Sequence, residues 1–360
     1  MDETQLWPAL REYWHPVCWS EEAAEKPLAV KLLDERIAVC RINGQYRAFR
    51  DLCIHRGTPL SLGWVEGEHL VCAYHGWAYN AEGKCTRIPS VPPEHPIPKK
   101  ACLTAYPAQE AYGMVWVCLS DTPRAPILEF PQYNDPGFKI FSKHRKLWKC
   151  SAARSIENFV DFGHFAWVHT GILGDRDHPE VPHVEIRRED ESLRFEYQRW
   201  KTFLKTPGSH PQHPDRIHPV TILHNYRINR PFTIHQWNVE ENGNTDAIFY
   251  AVTPHTFNES TRYMLITRNF DLDMPEVKHG PVWVDQYKMW MDDREYGGKI
   301  PDHMRTRDLI ADQDEPFVNN QRPWELPLDL SEELHIKGPD AVAVAYRRFM
   351  RELGVDVDAS

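Results

Sequence analysis

The sequence predicts an α+β protein in two parts, a β-rich first third and a longer mixed remainder. Three observations point there: short strand-like runs bounded by turn residues in the first 119 positions, longer β-type runs between 226 and 270, and an amphipathic stripe near the C-terminus. In chain order, Ala29 to Leu33, Ile37 to Ile42 and Tyr46 to Phe49 read as strands, and Asn43-Gly44 is a type I′ hairpin signal. Ala111 to Leu119 reads as one more strand around Val115, Trp116 and Val117. Proline clusters at 89–98 and 123–131 follow, which places a domain boundary near residue 130 and divides the chain into 1–130 and 131–360. Beyond it, Tyr226 to Val239 and Ala247 to Val252 form a hairpin across Glu240-Glu241-Asn242-Gly243-Asn244, and Arg262 to Phe270 adds a strand. Helical patterns cover 151–169, 282–294, 306–321 and 340–353. The last carries Val342, Ala345, Tyr346, Phe349, Met350 and Leu353 on one stripe, with Gly354 as its expected stop.

Composition bounds the function. At 360 residues the chain is long enough for two cores, and 41% hydrophobic content is ordinary for a globular protein. A net charge of −10 argues against nucleic-acid binding, which normally uses a basic surface. There is no apolar run of membrane-spanning length, and Met1-Asp2-Glu3-Thr4 lacks the basic and apolar regions of a secretory signal, so the expected location is cytoplasmic, with no membrane partner. Eight cysteines over this length are not a disulfide framework.

Two short groups carry the chemistry. Cys53-Ile54-His55 and Cys72-Ala73-Tyr74-His75 each pair one thiolate with one imidazole, and 16 residues separate them. Two Cys on one iron and two His on the other is the ligand set of a Rieske 2Fe–2S centre. A structural zinc site is the other reading, but zinc patterns usually group like ligands. Arg56-Gly57 and Gly76-Trp77 supply a glycine after each group, where a tight turn brings backbone N–H groups close to sulfur. Both stretches resemble the ligand loops of the Rieske family. The resemblance implies that Cys53 and Cys72 hold one iron and His55 and His75 the other.

A second candidate site lies in Glu157 to His169. His164 and His169 are five residues apart, about 140° around a regular helix, so joint ligation requires a helix end or a distortion between them, which Gly163 can help provide. Unrelated histidines on a partly buried helix are the alternative. Two His awaiting one carboxylate match the 2-His-1-carboxylate facial triad of non-haem Fe(II) oxygenases, which leaves positions open for dioxygen. In the segment 308–321, helical spacing puts Ile310, Asp314, Phe317, Val318 and Gln321 on one face and turns Asp312 and Glu315 aside, which selects Asp314. Asp314 before Glu315-Pro316 also reads as a helix N-cap. Asp161, one turn before His164, is placed to accept a hydrogen bond from that ring.

The stretch around Asn158, Asp161, His164 and His169 resembles the catalytic helix of Rieske non-haem iron oxygenases. That family's late segment has an Asp with a Gln about seven residues on, as Asp314 and Gln321 stand here, though Asn319 occupies a place where the pattern often has Glu. The resemblance implies an antiparallel β Rieske domain followed by a helix-grip (START/Bet v 1-like) catalytic domain with mononuclear Fe(II). It also implies that Asp161 meets a Rieske His of a neighbouring subunit, here His75, in a head-to-tail homotrimer. The run from His164 through Arg176, and Val344-Ala345-Tyr346-Arg347-Arg348, look like monooxygenase and demethylase members, including those that hydroxylate the saxitoxin skeleton.

The implied function is a terminal oxygenase. It takes O2, a small organic substrate and electrons from an external NAD(P)H-dependent reductase or ferredoxin. The external donor also follows from the lack of a Gly-x-Gly-x-x-Gly fingerprint and of a second cysteine cluster. Monooxygenation or demethylation is the first reading, cis-dihydroxylation the second, and an electron-transfer or ligand-sensing protein without oxygenase activity the reading from another class. Three weaker signals remain: the basic run Ser142 to Lys149, the loop histidines His178, His183, His210, His213 and His218, and the aromatics Phe165, Trp167, Trp200, Phe232 and Trp237 as pocket candidates.

Overall fold

The computed structural model describes residues 3–170, 173–174, 176–201, 220–270, 272, 282–284, 289–291 and 309–357. They divide into two compact units. One comprises Trp7–Ile127 with Thr253–Thr256, and the other Met1–Leu6, Leu128–Val252 and Phe257–Ser360. Among the described residues no helix is long and apolar enough to cross a membrane.

The first unit is built from three small sheets. Leu28–Leu32, Glu35–Ile42, Gln45–Arg50 and Ala105–Tyr106 form one; Trp64–Glu66, His69–Val71, Ala78–Tyr79 and Cys85–Arg87 form the second. Asn43 and Gly44 both take positive φ (53° and 77°), as the hairpin signal requires. The expected strand over 111–119 is interrupted: Tyr112 and Gly113, again with positive φ, turn the chain between Ala108–Ala111 and Met114–Val117. Val115 to Val117 are almost fully buried, and that strand is the centre of the third sheet, between His15–Trp19 and Ala108–Ala111. The core of the first two sheets gathers Ala38, Cys40, Phe49, Leu70 and Tyr79 around Cys53 and Cys72.

In the second unit a seven-stranded sheet runs in the order Lys139–Trp148, Glu259–Arg268, Thr245–Thr256, Thr233–Glu240, Val220–Asn229, Ser192–Lys201 and Arg187–Glu189. The strand expected over 226–239 is two strands. The chain turns at Arg230-Pro231-Phe232, where proline supplies no ladder N–H, and Ile228 pairs back onto Ile234. The described residues of the expected 282–294 helix are two paired strands, Val282–Val284 and Met289–Met291, whose Val-Trp-Val and Met-Trp-Met composition suits a pleated ribbon. The C-terminal helix, Ala341–Val357, runs through Gly354 instead of stopping there, since a helical glycine costs only about 1 kcal/mol.

Two further helices carry candidate site residues. Ala152–Val160 starts at Ser151, whose Oγ accepts from Arg154 N at 3.3 Å, and ends at Asp161, so the expected helix over 151–169 stops well short. Beyond it a single 3₁₀ turn, Gly163–Ala166, follows. Leu309–Val318 contains Asp314 in its middle, which removes the N-cap reading, and Pro316 sits inside it. Residues 306–308 of that expected helix lie outside the described residues.

The Ala152–Val160 helix is held by ionic contacts. Arg347 grips Glu157 through two hydrogen bonds of 2.6 and 2.8 Å and reaches Glu333 at 2.5 Å, while Arg154 donates to Glu333 at 2.7 Å. At its N-terminus the buried Glu3 carboxylate accepts from Ala153 N, and burial pushes its pKa up to about 7. An unfolded Glu titrates near 4.3, so the native state holds the extra proton between that value and about 7. Its contribution is therefore full at acid pH and is lost as the pH rises through 7. Glu3→Gln keeps an acceptor for Ala153 and cannot ionise. It is expected to be more stable than the parent at pH 8 by roughly 3 kcal/mol and close to it at pH 4, read from urea unfolding at the two pH values.

Candidate metal centres

The first candidate centre is a pair of loops with one shared hydrogen-bond plan. Cys53 N donates to Thr58 O and Gly57 N to Cys53 O; Cys72 N donates to Trp77 O and Gly76 N to Cys72 O, all at 2.8–3.0 Å. Each loop thus folds its ligand pair around one glycine, and both glycines need positive φ, 74° at Gly57 and 69° at Gly76. Cys53 and Cys72 are buried, whereas His75 is exposed and His55 half-buried. The His55 and His75 rings approach to 4.6 Å, and the Trp77 ring stacks on His55 at 4.5 Å. Tyr79 Oη lies 3.2 Å from Cys53 Sγ. Burial raises the Cys72 thiol while the Tyr74 and His75 backbone N–H groups pull it down, and those N–H groups are suited to a thiolate ligand. Desolvation, then His75 and Arg56, hold His55 low, and its buried Nδ1 makes no hydrogen bond among the described residues. Two thiols inside and two imidazoles at the rim fit a 2Fe–2S cluster.

The second candidate centre joins His164, His169 and Asp314, whose potential ligand atoms lie within 4.8 Å of one another. The helix end at Asp161 and the 3₁₀ turn bring the two rings together, with centroids 5.1 Å apart. Asp161 Oδ1 takes the Gly163 N–H at 2.9 Å, and its Oδ2 lies 3.2 Å from His164 Nδ1. Gln313 Oε1 accepts from His169 Nδ1 at 2.8 Å. Each ring therefore carries its proton on Nδ1 and turns Nε2 toward Asp314. His169 Nε2 and Asp314 Oδ1 are 2.9 Å apart, yet both are buried and neither makes a hydrogen bond among the described residues. Two acceptors facing each other at that distance repel unless a cation lies between them, so the donor set fits a divalent iron.

The protonation pattern agrees. Burial lowers the His164 pKa, but hydrogen bonds and charge from Asp161 and Asp314 outweigh it and raise the value to about 9. Burial raises Asp314, but the two imidazoles bring it down to about 2. A proton thus takes up part of the work a metal would do.

Asp314 faces inward because the polar residues beside it are anchored outward. Lys146 on the edge strand pairs with both Asp312 and Glu315, and Lys149 pairs with Glu259. The basic run Ser142 to Lys149 is in part this anchor. Asn319 Oδ1 accepts from Lys149 N at 2.8 Å, a role for the residue that departs from the expected Glu. Phe317, placed on the inner face by spacing alone, is 59% exposed, while Val318 beside it is buried.

Beside the triad is a cavity of about 280 Å³, lined by Phe159, Phe165, Tyr226, Ile248 and Met264 among others. Of the aromatics that suit pocket lining and core packing equally by sequence, Phe165 lines the cavity, Trp167 is exposed, Phe232 is buried in the hairpin turn, and the side chain of Trp200 lies outside the described residues. His178 and His183 are exposed loop residues, and His210, His213 and His218 lie outside the described residues. Sequence reasoning missed Gln313, whose only signal is its place beside Asp314, and Gly174. A Cβ on Gly174 would come within 2.5 Å of the Phe165 and Ala166 backbone, so glycine lets the loop after His169 close on the 3₁₀ turn.

Comparison with known proteins agrees with both centres. Residues 13–107 match the Rieske 2Fe–2S domain, and residues 148–356 match the vanillate O-demethylase oxygenase C-terminal domain. The chain is 32% identical to the methylxanthine N1-demethylase NdmA of Pseudomonas putida, over 96% of its own length and 89% of the relative's. It is 27% identical to the methylxanthine N3-demethylase NdmB of the same organism, over 96% and 90%. The structure of Pseudomonas putida CBB5 NdmA with caffeine superposes with a TM-score of 0.80 at 30% identity, covering 99% of this chain and 94% of that one. Dicamba monooxygenase bound to dicamba, at 20% identity and a TM-score of 0.74, shares the fold.

Gln313→Leu removes the acceptor that fixes the His169 ring. Iron(II) affinity, measured by anaerobic competition with a chelator, is expected to fall by roughly 10–100-fold. Unchanged affinity would show that Gln313 does not set the ring.

Proposed function

The chain belongs to the Rieske oxygenases with a vanillate O-demethylase-type C-terminal domain, and from that premise we propose that it hydroxylates or demethylates a small aromatic or heteroaromatic substrate by monooxygenation. The observation that carries this reading is the aromatic cavity with His164, His169 and Asp314 on its wall. In the proposed assignment Cys53, Cys72, His55 and His75 hold the cluster, and His164, His169 and Asp314 hold the iron. When bound, the iron supplies dioxygen activation and the cluster supplies single electrons delivered by a separate NAD(P)H-dependent reductase or ferredoxin.

The chain's own residues do the positioning. Asp161 and Gln313 hold the Nδ1 protons of His164 and His169, so both Nε2 atoms stay available to metal. Phe159, Phe165 and Tyr226 exclude water from the cavity and offer flat faces to a ring. A methyl group on oxygen or nitrogen, once hydroxylated, collapses to formaldehyde and the demethylated product.

Assembly is part of the proposal. Asp161 keeps its side chain 44% exposed, and the exposed His75 is flanked by the exposed apolar residues Leu52, Ile54 and Tyr74. These features suit a cytoplasmic head-to-tail homotrimer in which His75 of one copy hydrogen-bonds Asp161 of the next.

His164→Ala is expected to keep the visible absorption of the cluster, lower bound iron from three to two per chain, and abolish substrate-dependent oxygen uptake and formaldehyde release. Three irons and normal uptake in that variant would remove the assignment. Asp161→Asn is expected to retain all three irons but slow turnover by about 10²-fold or more, as stopped-flow oxidation of the reduced cluster can measure. Wild-type rates there would take Asp161 out of the electron path.

A further inference from the structure

A polar row on the inner face of the large sheet borders the same cavity and has no part in holding metal. His224, Asn238 and Asp246 lie side by side on three neighbouring strands, through the cross-strand pairs His224↔Asn238 and Asn238↔Asp246. Gln236 stands two residues from Asn238 and so on the same face. All four line the cavity. Gln236 and Asn238 are 7% and 9% exposed, within a wall otherwise rich in aromatic and aliphatic side chains. Polar groups so deeply placed cost stability unless their hydrogen-bonding capacity is used.

The direction of the hydrogen bonds is fixed from one end. The Asp246 carboxylate accepts, so Asn238 must present Nδ2 to it, at 2.7 Å. That orientation turns Asn238 Oδ1 the other way, where it accepts from Gln236 Nε2 at 2.9 Å and from His224 Nδ1 at 2.7 Å. Flipping the Gln236 amide would set its Oε1 against Asn238 Oδ1, two acceptors at hydrogen-bond distance. Gln236 is therefore held with its nitrogen on the row, and among the described residues its Oε1 receives no hydrogen bond. His224 likewise spends its Nδ1 proton on Asn238.

We infer that Gln236 is a specificity-determining residue that selects substrates carrying a ring N–H or O–H donor over their methylated counterparts. Asn238 and Asp246 are its positioning residues, because they fix which end of the Gln236 amide meets the substrate. The inference rests on the oxygenase reading of this cavity for its meaning, but its test is a binding measurement. A site built to accept a hydrogen bond discriminates strongly against an analogue that lacks the donor, because the buried acceptor is then left unpaired.

The test uses the full-length protein with cluster and iron loaded, and three matched probe pairs that differ by one donor: theobromine and caffeine, indole and N-methylindole, phenol and anisole. Dissociation constants are measured anaerobically by calorimetry. In the parent protein the donor-bearing member of at least one pair is expected to bind about tenfold or more tightly. Gln236→Met, close in shape but without an acceptor amide, is expected to bring that ratio within about twofold, and Asn238→Leu to reduce it partway. The visible circular dichroism of the cluster verifies that each variant is folded, and either variant alone suffices for the comparison. The inference is overturned if the parent shows no preference for donors, if none of the six probes binds, or if the preference survives undiminished in the folded variants. Oxygen uptake with the same probes separates the two claims. A donor preference without substrate-dependent uptake counts against the oxygenase reading alone, and uptake without a donor preference counts against the role of Gln236 alone.

Discussion

Three acceptor atoms aimed at one point set the terms for the catalytic unit. His164 Nε2, His169 Nε2 and Asp314 Oδ1 converge, with His169 and Asp314 buried and His164 half-buried, and without a positive charge among them the arrangement is repulsive. The surroundings hold the three side chains despite that repulsion. Asp161 and Gln313 lock the two rings from behind, Lys146 fixes the outer side of the Leu309–Val318 helix, and Gly174 lets the loop after His169 close tightly. Such a site is pre-organised for a cation and gains stability when it receives one.

The cluster-bearing unit solves the opposite problem. Its Cys53 and Cys72 thiols sit in the core, while the His55 and His75 rings reach toward the surface and have exposed apolar neighbours. Burial protects the cysteines from oxidation and disulfide exchange, and the exposed edge shortens the distance to any redox partner. Because both loops use the same backbone hydrogen bonds, the two ligand pairs are held symmetrically about whatever lies between them.

Much of this is legible in the sequence because it is local. Cys-x-His and Cys-x-x-His fix ligand type and spacing within a few residues, Asn43-Gly44 dictates a hairpin, and the stripe through Tyr346 and Leu353 dictates a helix. Asp314 is legible from helical spacing, though only the tertiary fold tells it from an N-cap. What escapes is set by distant partners. Gln313 looks like any polar helix residue until His169 lies 2.8 Å away, 144 positions earlier in the chain. The break at Arg230-Pro231-Phe232 is hidden by the strong β propensity on both sides, and the end of the catalytic helix at Asp161 is hidden by hydrophobic periodicity that continues beyond it.

Pro316 shows how such competing demands are settled. Inside the Leu309–Val318 helix it removes the N–H that would bond the Asp312 carbonyl and crowds that carbonyl, a cost of roughly 3 kcal/mol in a regular helix interior. Two anchors bind the helix on either side of the proline: Lys146 takes the Asp312 and Glu315 carboxylates, and Asn319 ties the next turn to the Lys149 backbone. Asn320 Nδ2 also donates to the Pro316 carbonyl at 2.9 Å, so the last turn closes by a side chain where the helix itself runs out. A helix held on both sides of its weakened middle can set the angle of Asp314, which with Gln313 and Val318 faces inward between the anchors. The order of acidic residues in Asp312-Gln313-Asp314-Glu315 then has a physical logic, with the flanking acids facing Lys146, the glutamine behind His169, and the remaining aspartate facing the two imidazoles.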